Sequence, residues 1–127
     1  MTTTQTAPGT FLDGLAAQDF ARLASAFAGG AQLSALVPRG LREARGAAEI
    51  QAVFTRWFGD TLAFELVAAD VSRIGFRLHL RWRARLRAER LGDGWFVVEQ
   101  QAFADTEAGG RITRMSLLCS GYCPDER

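Results

Sequence analysis

The chain has 127 residues, 48% of them hydrophobic, which suffices for one globular domain over residues 1–127 with a core that needs no staples. A formal charge of +1 exerts no global pull toward nucleic acid or an anionic membrane. No apolar run approaches the roughly eighteen residues of a membrane span, and the opening MTTTQTAPG lacks the basic end and apolar run of a signal peptide. All fifteen basic residues are arginine; with abundant Ala and Gly, this looks like the codon bias of a GC-rich bacterial genome. The two cysteines, Cys119 and Cys123, and the single, distant His79 form no metal pattern. They read as reduced thiols of a cytoplasmic protein, because a disulfide between them would need a sharp bend at Gly121.

Residues 1–9 are polar and read as a flexible tail. Thr10 is placed to cap a helix, with Asp13 three residues on, and Leu12, Ala16, Phe20, Leu23 and Phe27 then form one apolar stripe. Gly29-Gly30 would end that helix. Ala31 to Val37 reads as a short strand, Pro38-Arg39-Gly40 as a turn, and Leu41 to Arg45 as its return. From Ala47 the helical period comes back in Ile50, Val53, Phe54, Trp57 and Phe58, closed by Gly59. That aromatic face suits a lid over a sheet or one wall of a cavity.

After Asp60 the chain reads as strand to its end. Leu62 to Val71 is the first run, with a turn near Arg73-Ile74-Gly75. Phe76 to about Arg90 follows, and its first half is the most regular stretch of the chain. Phe76, Leu78, Leu80, Trp82, Ala84 and Leu86 alternate with Arg77, His79, Arg81, Arg83 and Arg85, the period of a strand with one buried and one polar face. A helix would scatter these residues around its cylinder and bury nothing. Asp93-Gly94 signals a hairpin, Trp95 to Asp105 is the next strand, and Arg111 to Ser120 closes an antiparallel four-strand meander.

The segments LAAQDFARLASAFA, RGAAEIQAVFTRWF, LHLRWRAR, WFVVEQQAF and GGRITRMSLLCSGYCP, in that order, resemble the nuclear transport factor 2-like superfamily, and within it the SnoaL-like group related to polyketide cyclases and ketosteroid isomerase. The resemblance implies an α+β fold. A curved, cone-shaped antiparallel sheet, the four-strand meander plus a short hairpin, would wrap over two principal helices around an apolar pocket. It also implies a homodimer through the outer, arginine-bearing sheet face, where a long half-exposed sheet needs a cover. The superfamily holds enzymes and pure binding modules. Two readings therefore stand: a cofactor-independent cyclase, isomerase or lyase acting on a small apolar carbonyl compound, or a non-catalytic ligand-binding or dimerisation module. The ketosteroid isomerase pattern needs a carboxylate and a tyrosine in the pocket, and Tyr122, the single tyrosine, lies at the end of the sheet.

Glu99, Gln100, Gln101 and Asp105 interrupt what should be a central strand, and a buried polar group costs about 1–3 kcal/mol unless hydrogen-bonded. Which of them face the cone depends on the hairpin register. A two-residue Asp93-Gly94 turn would pair Gly92 with Trp95 and turn Glu99, Gln101, Phe103 and Asp105 inward. A three-residue Gly92-Asp93-Gly94 loop would turn Gln100, Ala102 and Ala104 inward and set Glu99 and Asp105 among the arginines, with better charge pairing. The Asp-Gly signal and the resemblance favour the first. On that register Glu99 or Asp105, buried against Trp82 and Phe103, is the candidate acid or base. Phe54, Trp57, Phe58, Trp82, Gln101 and Phe103 would line the pocket. His79 is a further candidate because its unperturbed pKa lies near neutrality, though its place among Arg77, Arg81 and Arg83 also suits a surface or interface histidine. The arginine row carries no interleaved stacking aromatics, which argues against nucleic acid. No glycine-rich loop, Ser/His/Asp order or metal cluster is present, so a cofactor-free pocket without metal is expected.

Overall fold

The computed structural model describes residues 6–125. Residues 1–5 of the expected tail lie outside it, and Ala7 to Gly9 already belong to the first helix, α1 (Ala7–Ala16). Thr6 rather than Thr10 is its cap, accepting from the Gly9 amide at 3.3 Å, and Pro8 sits in the first turn, where its missing N–H costs nothing. Phe11 and Leu15, one turn apart, are fully buried. The stripe expected through Phe27 breaks at Gln18, which adopts φ +54°. Helix α2 (Phe20–Ala24) then doubles back, capped by the Asp19 side chain. Gly14 permits this corner, because a Cβ there would lie 2.6 Å from the Leu23 backbone nitrogen.

Gly29-Gly30 end no helix; they lie inside β1 (Phe27–Val37), where the pairing shifts between Phe27 and Gln32. Glycine in a strand marks such an irregularity. β1 pairs with β2 (Gly40–Arg45), and Gly46, at φ +85°, turns the chain into α3 (Ala47–Phe58). The Glu49 carboxylate, in the first turn, accepts from the amide of Arg45, the residue before the Gly46 cap. The helix buries Ile50, Phe54 and Phe58, as its period predicts, and stops at Gly59.

The meander follows as β3 (Ala63–Ile74), β4 (Arg77–Arg87), a turn of 3₁₀-helix at Glu89–Leu91, β5 (Phe96–Thr106) and β6 (Ile112–Cys119), with a two-residue β7 (Cys123–Pro124). The sheet order is β2-β1-β6-β5-β4-β3, with β7 beside β5. Every ladder is antiparallel except β1–β6, which joins the hairpin to the meander in parallel. The helices cover one face of this curved α+β sheet. Phe76 is not part of the alternation: it occupies the β3–β4 turn with Gly75 and is 97% exposed. From Leu78 to Leu86 the even positions are buried, and the arginines face away from the helices.

The register between β4 and β5 corrects the favoured expectation. Trp82 opposes Gln100, Arg83 opposes Glu99 and Leu86 opposes Phe96. Asp93-Gly94 is not a two-residue hairpin turn; the connection is an eight-residue loop, 88–95, containing the 3₁₀ turn. The inward set is Val98, Gln100, Ala102 and Ala104, all buried. The reason is electrostatic. The alternative register would carry two carboxylates into the core, at several kcal/mol each, away from the arginines that now neutralise them.

Phe11 is the keystone between layers. Its ring lies 5.1 Å from Trp82, 5.4 Å from Phe54 and 6.0 Å from Phe27. Phe11→Ala is expected to lower unfolding free energy by about 3–5 kcal/mol, measured by urea denaturation; a loss within experimental error would show that α1 is not part of the cooperative core.

Candidate functional site

On the inner sheet face, Trp82, Gln100 and Cys119 form one cross-strand row, because directly opposed residues of an antiparallel ladder point to the same side. The Trp82 indole donates to Gln100 Oε1 at 2.8 Å. Since an indole can only donate, this contact fixes the amide orientation and turns the NH2 group the other way. Gln100 is 1% exposed, and its Nε2 has no acceptor among the described residues. A donor left unpaired in an apolar interior costs about 1–3 kcal/mol.

The third member of the row opens onto a cleft. Cys119, Trp57, Asp60, Arg90, Leu91 and Tyr122 line a space of about 740 Å³ where α3 and β4 end, together with the β1–β2 turn and residues 120–121. The β5–β6 ladder stops at Gln100–Cys119, the chain leaves the sheet at Gly121, and it rejoins β5 at Cys123–Val97. That excursion throws Tyr122 toward α3. Gly121 is needed for two reasons, its φ of +79° and a Cβ position 2.6 Å from Pro38 Cγ.

Tyr122 donates to the Trp57 carbonyl at 2.6 Å and accepts from Arg90 at 3.2 Å, while the Arg90 guanidinium stacks 4.9 Å above its ring. Arg90 also donates to Asp60 Oδ2 and to the Trp57 carbonyl, both at 2.8 Å. Burial raises the Tyr122 pKa, so the phenol stays a neutral donor. Burial pulls Arg90 down, but its hydrogen bonds to Tyr122 and Asp60 outweigh this and the net direction is up. Gln18 completes this end by donating to the Phe58 carbonyl at 2.9 Å and to Thr61 at 2.6 Å. The carbonyls at the C-terminus of α3 are thereby capped.

Solved structures with this fold are numerous. A Catenulispora acidiphila protein of ketosteroid isomerase-like fold, in complex with trimethylamine, superposes with a TM-score of 0.75 at 16% identity, over 94% of this chain and 88% of that one. A Shewanella denitrificans protein described as a SnoaL-like polyketide cyclase gives 0.66 at 14% identity, over 87% and 85%. An M. tuberculosis LEH-like epoxide hydrolase gives 0.66 at 18% identity, over 90% and 80%. The chain has the nuclear transport factor 2-like fold. The sequence matches no protein-family model and no curated protein, so the likeness lies in backbone geometry.

Within this NTF2-like cone, the residues singled out from sequence divide between two faces. Phe54, Phe58 and Trp82 are fully buried core, and Trp57 lines the cleft. Glu99, Gln101, Phe103 and Asp105 stand on the outer face, correcting their expected place in the pocket, and the cause is the register above. Glu99 bonds Arg81 at 2.9 Å and Arg83 at 3.0 Å, and Asp105 bonds Arg77 at 3.1 Å. His79 lies beside them, 3.0 Å from Gln101 and 4.9 Å from the Phe103 ring centre. Gln100 was legible as the other register's inward residue. Asp60 and Arg90 carried no sequence signal: thirty positions apart, they meet only because α3 and β4 end together. Among the described residues no group of His, Cys, Asp and Glu is arranged to hold a metal.

The hydrogen bonds from Arg83 and Arg81 hold the Glu99 carboxyl below its ordinary pKa. A depressed folded-state pKa contributes stability that is complete above the unfolded value and lost as pH falls through the folded one. Urea denaturation should therefore show Glu99→Gln less stable than the parent at neutral pH, with the difference shrinking below about pH 4. A pH-independent difference would mean that these exposed pairs contribute nothing.

Proposed function

We propose that the chain binds a small carbonyl-bearing molecule with an apolar body in the cleft between α3 and the ends of β1 and β6, and acts on it as a cofactor-independent acid/base enzyme of SnoaL-like type. The observation that carries this reading is the Gln100 amide, a buried donor with no acceptor among the described residues, adjacent in the sheet to the cleft wall at Cys119. A carbonyl oxygen passing Cys119 would complete that donor and be polarised by it, stabilising the negative charge that develops on enolisation. Asp60 is the carboxylate among the cleft-lining residues. Arg90 orients it through Oδ2, and it is the group we assign as proton acceptor. Trp57, Leu91 and Tyr122 would hold the apolar body.

The neighbouring structures support the scaffold for such chemistry, with a polyketide cyclase and an epoxide hydrolase among their descriptions. The trimethylamine of the Catenulispora protein is a poor guide to this cleft, whose lining carries four arginines and disfavours an ammonium ion. A cytoplasmic location is part of the proposal and is supported by Cys119 and Cys123 as free thiols.

The test is hydrogen–deuterium exchange at the carbon next to the carbonyl of 4-phenyl-2-butanone in D2O, followed by NMR. Exchange should exceed the protein-free rate, and both Asp60→Asn and Gln100→Leu should reduce it at least about tenfold. Gln100→Leu orphans the Trp82 N–H but also removes an unpaired amide, so its stability should stay within about 1 kcal/mol of the parent. A second reading, a non-catalytic binding module, is favoured by the tight Phe11–Phe54–Trp82 filling of the cone. Perturbation of cleft resonances without any exchange would select it.

The outer face supports the proposed homodimer. Leu41, Leu36 and Leu118 form one exposed cross-strand row at 55%, 51% and 47% exposure, continuous with Gln101 and Arg81. Light scattering should give about twice the chain mass of 13.9 kDa, and Leu118→Glu should shift it toward monomer. A monomeric parent at high concentration rules the dimer out.

A further inference from the structure

The second cleft, about 680 Å³ between the start of α1 and the end of β3, has Arg73 and Arg111 among hydroxyl side chains but, among the described residues, no unpartnered buried group. The Cys119 thiol stands alone. The charge of the first cleft carries more. Arg39 on the β1–β2 turn, Arg42 on β2 and Arg56 in the last turn of α3 converge on it from three separate segments. Asp60, the carboxylate of that lining, is already bonded to the fourth arginine, Arg90. Among the described residues, Arg39, Arg42 and Arg56 have no ion-pair partner, and Arg42 donates only to the Leu41 carbonyl at 3.5 Å. Arg77, Arg81, Arg83 and Arg85 on β4 each meet a carboxylate, and Arg45, Arg73, Arg87 and Arg114, which like these three form no ion pair among the described residues, do not line this cleft.

An exposed arginine is ordinarily a solvated surface group, and Arg56 also complements the helix dipole. Neither reason places three of them around one cavity walled by Trp57, Leu91 and Val37. We infer that this cleft selects an anionic ligand, an aryl or alkyl carboxylate whose apolar body rests against Trp57 and whose carboxylate meets the Arg39–Arg42–Arg56 rim. The inference rests on the small-ligand reading above and narrows it to acids. A guanidinium matches a carboxylate with two parallel hydrogen bonds. The apolar wall lowers the local dielectric and strengthens them.

Isothermal titration of the full chain with benzoate, 3-phenylpropanoate and 2-naphthoate, each against its neutral carboxamide, tests the inference. The carboxylates should bind about tenfold or more tightly than the matching amides, with an affinity that falls as salt rises. In the Arg39→Ala/Arg42→Ala/Arg56→Ala protein, whose replaced side chains lie outside the core, the preference should vanish while amide binding persists. Thermal melting confirms that this variant is folded. Equal affinity for acid and amide, or a preference that survives the triple substitution, overturns the anion inference and leaves the small-ligand reading standing. Binding of none of the six compounds at millimolar concentration overturns both.

Discussion

Two carboxylates and a row of arginines decide how β4 and β5 lie together. With Arg81 and Arg83 on one side of β4, Glu99 finds both guanidinium groups only when it shares their face, and the opposite parity would bury it. The inward face of β5 then receives Gln100 between two alanines, Ala102 and Ala104, and Val98. Everything that follows depends on that choice. The small inward alanines leave room for Phe11 and Trp82 to meet at 5.1 Å, and the one polar residue brought inside is an uncharged amide. An amide is cheap to bury compared with a carboxylate, and it presents donors where a carboxylate would present acceptors.

That exchange changes what chemistry the cone can offer. An inward Glu99 or Asp105 would have been a desolvated base at the bottom of the pocket. The inward Gln100 is instead an amide donor, and the carboxylate lining the cleft is Asp60, held by Arg90. The cleft lies where several elements stop together: α3, β4, the β1–β2 turn and the excursion at Gly121. Loops at the ends of a rigid sheet commonly carry function, because the scaffold positions them while their side chains are free to vary. The C-terminal stretch contributes by rejoining β5 after Tyr122, with Asp125 bonded to Arg85 at 2.6 Å.

Much of the architecture was legible in single residues. The alternation of Leu78 to Leu86 with arginine defines a half-buried strand whatever surrounds it, and the Ile50, Phe54, Phe58 spacing defines a helix with one aromatic face, because both are local consequences of backbone period. The exposed, charge-paired outer face and the aromatic inner one follow from the same pattern. Even the break between α1 and α2 had its ingredients on the page in Gly14 and Asp19, although the helical spacing of Leu12 to Phe27 ran straight across it.

What the tertiary structure alone decided is the parity of one ladder and the meeting of distant segments. Asp93-Gly94 is a strong local turn signal, yet the connection is longer and contains a 3₁₀ turn, because the energy of ionised side chains between strands exceeds the preference of a dipeptide. A local signal carries no information about Arg81 and Arg83 farther back on the partner strand. The same holds for the cleft: Arg39, Arg56, Asp60, Arg90 and Tyr122 share no spacing that sequence periodicity could reveal. They become neighbours only when a parallel β1–β6 pairing folds the hairpin onto the meander and brings the end of α3 over the end of the sheet.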